Sequence, residues 1–354
     1  MTKAILLDID GTLTNDQKQI TPRTRDALLR AQDHGAILVL ASGRPAMGLT
    51  GFADTLQMKD HNGVFVCFNG AKALNYQTDE VYFEQALTPD QARRVLAHMH
   101  GFDVCPIYDH GAYMYLENAF FSIERDGAPW TIAEYEAHNN NYLLCEVADN
   151  ATFVEWPVNK ILVAGQPEYL QEHWQEMGAP FQGELSSMFT APFYCEFPPL
   201  GVDKTRALRE TFATLGIDAT EVIAFGDAQN DRSMLEWAGT GVAMGNAVDE
   251  VKAIADEVTL SNNEDGIAVA LERLAPFGGD IVALELLDDL ATIRDKRLAR
   301  RVGLARRSLA HRLLLGRVVA FATSGDDQGD AQDREHLLSS HRSPPMSCPT
   351  YSSH

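Results

Sequence analysis

At 354 residues, 45% of them hydrophobic and 22% charged, the chain has the composition of a soluble globular protein and more length than one hydrophobic core usually serves, so two domains are expected. The net charge of −21 is uneven: residues 294–317 hold nine Arg or Lys and one Asp, which leaves about −29 on the rest, a body that repels nucleic acid. No apolar run reaches the length of about 18 residues that a membrane span needs. Met1-Thr2-Lys3 leads straight into an apolar segment, so no signal peptide is expected. The five cysteines (Cys67, Cys105, Cys145, Cys195, Cys348) form no CxxC pair. That usage predicts reduced thiols in a cytoplasmic protein and argues against a disulfide frame or a zinc site.

AILLDI (4–9) is a short apolar run without alternation, the pattern of a parallel strand buried on both faces. Residues 22–34 read as a helix, with Thr21 as cap, Pro22 in the first turn and Gly35 as the stop. AILVLAS (36–42) and GVFVCFNG (63–70) read as two further buried strands. This alternation predicts βαβ units and a parallel sheet. Residues 85–197 break the rhythm: a helix near 88–100 precedes aromatic, alternating segments such as AYMYLE (112–117) and NKILVAG (159–165). They read as an α+β module inserted into the first. The earlier rhythm resumes with a helix at 203–216, a strand at 221–227, a helix at 231–238 and a strand at 241–245, and it ends near Leu274.

Pro276 and Gly278-Gly279 mark a break. Beyond it Leu298, Val302, Ala305, Leu309 and Leu313 recur at helical spacing among arginines, and from about 324 the polar composition predicts disorder. The expected organisation is a split α/β domain (1–84 and 198–275), an inserted module (85–197) and a C-terminal extension (276–354). The basic helix of the extension could meet an anionic surface, a nucleic acid or another protein, and its role is open.

Side chains alternate along a strand, so Asp8 and Asp10 project to one side of the strand's C-terminal end, where open α/β sheets bind ligands. Two carboxylates that close either share a cation or keep a proton, although an Asp beside Gly also opens turns. FGDAQND (225–231) is a second acidic cluster at a strand tip: Asp227 ends the strand, and Asn230 and Asp231 begin the next helix. Oxygen ligands from separate strand tips suit Mg²⁺; helix capping by Asn230 or Asp231 is compatible with that role. LASGRP (40–45) offers the Ser42 hydroxyl, free backbone at Gly43 for an anion, and Arg44 for the same site or a neighbouring carboxylate. Asn69 in NGA (69–71) is a weaker signal. Lys204 opens a helix, where the helix dipole disfavours a cation; a bound phosphate would offset it.

Taken together, DIDGT (8–12), the strand-tip Ser42, Lys204 and GDAQND (226–231) resemble the motifs of the haloacid dehalogenase superfamily of phosphohydrolases. SGRP (42–45), FNGA (68–71), GVDK (201–204), GVAMGNA (241–247) and NNEDGIAVAL (262–271) narrow the resemblance to its Cof-type branch, across residues 3–274. The resemblance implies a Rossmann-like α/β core with a parallel sheet and a large inserted α+β cap of the C2B type. It implies Asp8 as the nucleophile that forms an aspartyl-phosphate, and Asp10 as the acid and base. Mg²⁺ would lie on the carboxylates of Asp8 and Asp227 and the main-chain carbonyl of Asp10, with Asp231 in support. Ser42 and Lys204 would hold phosphoryl oxygens, and Asn230 would orient phosphate or water; Gly43, Arg44 and Asn69 complete the candidate substrate contacts.

The expected activity is Mg²⁺-dependent hydrolysis of small phosphorylated metabolites, sugar phosphates above all. A phosphotransferase or phosphomutase using the same intermediate, and a non-catalytic phospho-metabolite sensor, are the alternatives. For its acid role Asp10 is expected to bind a proton more readily than Asp8. The cap would choose the substrate; Tyr113, Tyr115, Phe120 and Phe121 are candidates to touch the leaving group, with core packing the competing explanation for each.

Overall fold

The apolar run that opens the chain forms strand β1 (Ala4–Leu7), and every one of its side chains is buried. The computed structural model describes residues 2–275. The helical spacing at 298–313 and the polar tail beyond 324 lie outside the described residues.

Strands β2 (Ile37–Ala41), β3 (Val64–Cys67), β4 (Lys72–Asn75) and β5 (Val81–Glu84) follow β1. The chain then supplies β6 (Cys105–His110), β7 (Tyr113–Leu116), β8 (Ser122–Arg125), β9 (Ala128–Thr131), β10 (Leu143–Glu146), β11 (Ile161–Ala164), β12 (Met188–Ala191) and β13 (Tyr194–Phe197). It returns with β14 (Val222–Gly226), β15 (Thr240–Ala243) and β16 (Glu257–Val258).

One sheet has the order β16-β15-β14-β1-β2-β3-β4-β5. Its strands from β16 to β3 are parallel, and β4 and β5 add antiparallel at the edge. The expected parallel α/β sheet is therefore present, with an antiparallel edge that the apolar runs did not announce. A second sheet, β10-β7-β6-β11-β13-β12, is antiparallel except where β10 meets β7, and β8 pairs with β9 alone.

Period-2 alternation sends Ile5, Leu7, Leu38 and Leu40 into the core on one face of the large sheet, and Ala4, Leu6, Val39 and Ala41 into the core on the other. Burial on both faces is why these strands read as unbroken apolar runs. Register then decides where function can sit. Leu7 lies beside Phe225 on one flank and Leu40 on the other, so the chain leaves three adjacent strands at nearly one level. Asp8, Asp227 and Ser42 come just after those exits.

Gln85 ties the start of the 85–197 segment to the chain just beyond its end. Its amide Nε2 donates to the Leu200 carbonyl at 2.8 Å, and its Oε1 accepts from Arg206 Nη1 at 3.0 Å.

The helix Lys204–Leu215 carries a candidate site residue in its first position. Asp203 caps it by accepting from Thr205 N, and Gly216 ends it at positive φ. Ala207, Leu208, Thr211 and Phe212 form its buried stripe against the sheet. Phe212 is fully enclosed and stacks on Trp237 with ring centroids 5.4 Å apart. Phe212→Ala should therefore cost about 3–5 kcal/mol, read as a lowered denaturant midpoint with unchanged slope; a shift within error would show that this helix is not held by its apolar stripe.

Candidate active site

The Lys204 ammonium donates to Asp8 Oδ1 at 2.8 Å, Asp231 Oδ1 at 2.7 Å and the Ala41 carbonyl at 2.9 Å. These acceptors come from the tips of β1 and β2 and from the turn after β14, so the aligned register makes the contact. The Lys204 and Asp231 side chains are buried. The cation expected to await a phosphate at the helix start is thus already balanced by two carboxylates. Burial works against the Lys204 charge, but Asp8 and Asp231 outweigh it and hold the ammonium well above its usual pKa.

Asp231 is fully committed: its second oxygen accepts from the backbone N–H of Asp227 and Ala228 at 3.0 and 3.1 Å. Asp227 Oδ1 accepts from the Thr12 hydroxyl at 2.8 Å. Asp8 gives one oxygen to Lys204, and its other oxygen has no hydrogen-bond partner among the described residues. Burial pushes the Asp8 carboxyl up to about 8; Lys204 opposes this, and the charges of Asp231 and Asp227 add to it. Asp227 rises to about 6, chiefly through burial, against the Thr12 hydrogen bond and with the Asp231 charge adding.

Asp10 lies apart from this cluster. Its carboxylate accepts from Arg44 Nε at 3.1 Å and Arg44 Nη2 at 3.0 Å, and from Lys18 Nζ at 2.8 Å. Burial disfavours its charge, but Arg44 and Lys18 outweigh burial and hold the carboxyl below the usual range. The expected order of proton affinity is therefore reversed here: Asp8 binds a proton more readily than Asp10. The main cause is the deeper burial of Asp8, which its one cation, shared with Asp231, does not offset, whereas Arg44 and Lys18 together outweigh burial at Asp10.

Ser42 is buried, and its Oγ accepts from Arg44 N at 3.3 Å. Asn230 Nδ2 donates to Asn69 Oδ1 at 3.2 Å, and Asn69 N donates to the Ser42 carbonyl at 3.0 Å. Two glycines make these approaches possible. A Cβ on Gly11 (φ +85°) would sit 2.4 Å from Asp227 Oδ2, and one on Gly70 (φ +99°) 2.3 Å from the Asp203 carbonyl. Asn246 Nδ2 and Asn262 Nδ2 brace the loop after β1 by donating to the carbonyls of Gly11 and Thr14 at 2.7 and 2.9 Å.

Residues 5–271 match the family model of haloacid dehalogenase-like hydrolases. The chain belongs to this family. A solved haloacid dehalogenase-like hydrolase from Bacteroides thetaiotaomicron is 35% identical with a TM-score of 0.72, over 77% of this chain and 100% of that one. The Bacillus subtilis protein YcsE, a 5-amino-6-(5-phospho-D-ribitylamino)uracil phosphatase, is 28% identical over 77% of this chain and 95% of its own. The solved subclass IIB sugar phosphatase BT4131 is 25% identical with a TM-score of 0.61, over 77% of this chain and 98% of its own. The hydrolase is accordingly a phosphoric monoester hydrolase with a haloacid dehalogenase fold.

Hydrolases of this family generally use a divalent metal, and the donor set fits one. Asp8, Asp227 and Asp231 each offer a carboxylate oxygen within 4.8 Å of the others, and all are hard oxygen donors. The Asp10 carboxylate is outside that group, so any share of Asp10 in holding an ion falls to its main-chain carbonyl. Among the described residues no helix is long and apolar enough to cross a membrane.

A cavity of about 300 Å³ runs from Asp10 and Arg44 to the second sheet. The four aromatic residues offered as candidate leaving-group contacts, with core packing the competing explanation, do not line it. Tyr115 stacks on Tyr108 at 5.2 Å and lies in the core with Tyr113 packed against it; Phe121 packs into a separate core, and Phe120 is 86% exposed. The lining instead includes Asp109, Glu136, Tyr142, Lys160, Tyr194 and Glu196. One signal for them was readable: Tyr194 and Glu196 alternate onto one face of YCEF, and a Glu inside an apolar strand needs a partner. It has one in Lys160, whose Nζ donates to Glu196 Oε1 at 2.5 Å and to the Gly43 carbonyl at 3.3 Å.

Asp8 and Asp227 impose a pH dependence on the metal-free protein. Both carboxyls hold protons in the folded chain at pH values where an ordinary Asp, near 3.8, has lost them. Their contribution is whole below about pH 4 and drains as pH rises through about 6 and then about 8. In a chelator the thermal midpoint should fall from pH 5 to pH 8.5, and Asp8→Asn should flatten the upper part of the fall. A wild-type midpoint that rises over that range would refute the assignment.

Proposed function

We propose that this hydrolase removes the phosphoryl group from small phosphorylated metabolites, sugar phosphates among them, using Mg²⁺ and Asp8 as the nucleophile. The observation that carries the reading is the buried Lys204 ammonium shared by Asp8 and Asp231 beside Asp227, at the tips of adjacent parallel strands. A structural ion pair would not need Asp227, nor leave one Asp8 oxygen uncommitted. The carboxylates of Asp8 and Asp227 and the carbonyl of Asp10 would hold Mg²⁺, with Asp231 fixing the loop behind them. Bound there, the ion supplies the positive charge that lets a phosphate dianion approach these acids.

The free oxygen of Asp8 attacks phosphorus as the bond to the leaving oxygen breaks, and Asp10 gives that oxygen its proton. Water then attacks the same phosphorus, Asp10 takes its proton, and Asp8 is regenerated as inorganic phosphate departs. Lys204, by giving up one of its three present acceptors, and Ser42 hold phosphoryl oxygens, and Asn230 and Asn69 orient phosphate or water. Charge spreads over those oxygens in the transition state, where fixed donors act most strongly. Arg44 must loosen its hold on Asp10 before Asp10 can carry a proton, and a phosphate beside Gly43 gives the guanidinium a second anion to meet. Residues 1–84 and 198–275 form the catalytic core in this reading, and 85–197 form the cap that closes the site.

The names of two relatives support the substrate class, since both describe phosphate on a sugar or sugar-like chain. Asp8→Asn should lower p-nitrophenyl phosphate turnover roughly 10³-fold or more. A chelator should abolish turnover and Mg²⁺ should restore it. Normal turnover by Asp8→Asn, or indifference to the chelator, would refute the mechanism.

A further inference from the structure

We infer that the leaving group is a small hydroxyl-rich chain with no second anionic group, and that Asp109 and Glu136 set this preference. The inference rests on the phosphatase reading and adds what lies beyond the phosphoryl group. At about 300 Å³ the cavity is at the small end of ligand sites. Its charged lining comprises four acids (Asp10, Asp109, Glu136, Glu196) and two bases (Arg44, Lys160).

Neither base is open to a second anion: both are paired here, and when Arg44 loosens from Asp10 it turns to the phosphoryl group. Arg44 is bound to Asp10, and its Nη1 donates to the Asn139 carbonyl at 3.1 Å. Lys160 is bound to Glu196 and to the Gly43 carbonyl. Asp109 and Glu136 are left without an ion-pair partner among the described residues. Glu136 accepts only from neutral donors, Tyr194 Oη at 2.7 Å and Asn140 Nδ2 at 3.0 Å. Burial pushes both carboxyls up, Asp109 to about 6.

A carboxylate has about four acceptor sites. Even with the Tyr142 hydroxyl beside Asp109, these two acids therefore offer unused acceptor capacity in a cavity whose two cations are both paired. Hydroxyl groups fill such capacity. A second phosphate or a carboxylate meets like charge and no donor of opposite sign, and a site rejects such a group by leaving it unpaired.

Sorbitol 6-phosphate and 6-phosphogluconate make the test sharp, because they differ only in a terminal hydroxymethyl against a carboxylate. Competition with p-nitrophenyl phosphate at pH 7.5 with Mg²⁺ should show the polyol binding at least tenfold more tightly. In the Asp109→Asn/Glu136→Gln double variant the ratio should fall toward one. Each ratio is taken within a single protein, so a general loss of packing cancels. Calorimetric titration of both compounds into Asp8→Asn gives the ratio without turnover. Absent p-nitrophenyl phosphate hydrolysis would thus strike the phosphatase reading, while the binding ratio judges this one. Equal binding of the two compounds, no binding of the polyol, or a ratio unchanged in the double variant would overturn it.

Discussion

The Lys204 ammonium, closed off from water between two carboxylates and a carbonyl, sets the terms for everything around it. Removing three charges from water is costly, and mutual attraction repays the cost only when every donor and acceptor is matched. Asp231 meets that condition through two backbone N–H groups, and Lys204 through three acceptors. Asp8 does not, because half of its carboxylate is left over. The incompleteness falls on one oxygen of a buried acid at a strand tip, which an electrophile or a cation can complete. The fold's work is to hold that oxygen in place: two tight glycine contacts, a capped helix and three aligned strands all converge on the same few ångströms.

The large sheet was legible because burial on both faces leaves a plain mark, unbroken runs such as AILLDI and AILVLAS between polar helices. The acidic cluster was legible for a related reason, since Asp8 and Asp227 each follow such a run directly. The state of Asp10 was not. It depends on Lys18 and Arg44, which lie 8 and 34 residues away in sequence, and nothing in DIDGT fixes which carboxylate draws more positive charge.

The cavity lining was harder still. Asp109, Glu136, Lys160 and Glu196 come from four separate segments of the second sheet and its helix, and only pairing of β6, β11 and β13 brings them together. Tyr113 and Tyr115 invited a functional reading because they alternate with apolar residues, yet alternation says only that they share a face. That face packs against Tyr108, Phe153 and Trp156. Aromatic content alone did not separate a binding wall from a core; unpaired charge would have been the better guide.

Arg44 links the two halves of the proposed site. One guanidinium holds the Asp10 carboxylate and also the Asn139 carbonyl, which belongs to the helix Ile132–Asn140 over the cavity. Lys160 makes a comparable link between Glu196 and Gly43. Any shift of the second sheet relative to the strand tips therefore has to break polar contacts at the residues that neighbour the phosphoryl site.

The tie from Gln85 to Leu200 has a consequence of another kind. The long segment between them starts and finishes at one spot, so its length and sequence place no demand on the spacing of the strands it interrupts. Such a segment can be lengthened, repacked or exchanged at little loop-closure cost, while Asp8, Lys204 and Asp227 keep their register. In the proposed mechanism, bond-breaking and choice of molecule would thus reside on parts of the chain that selection can revise separately.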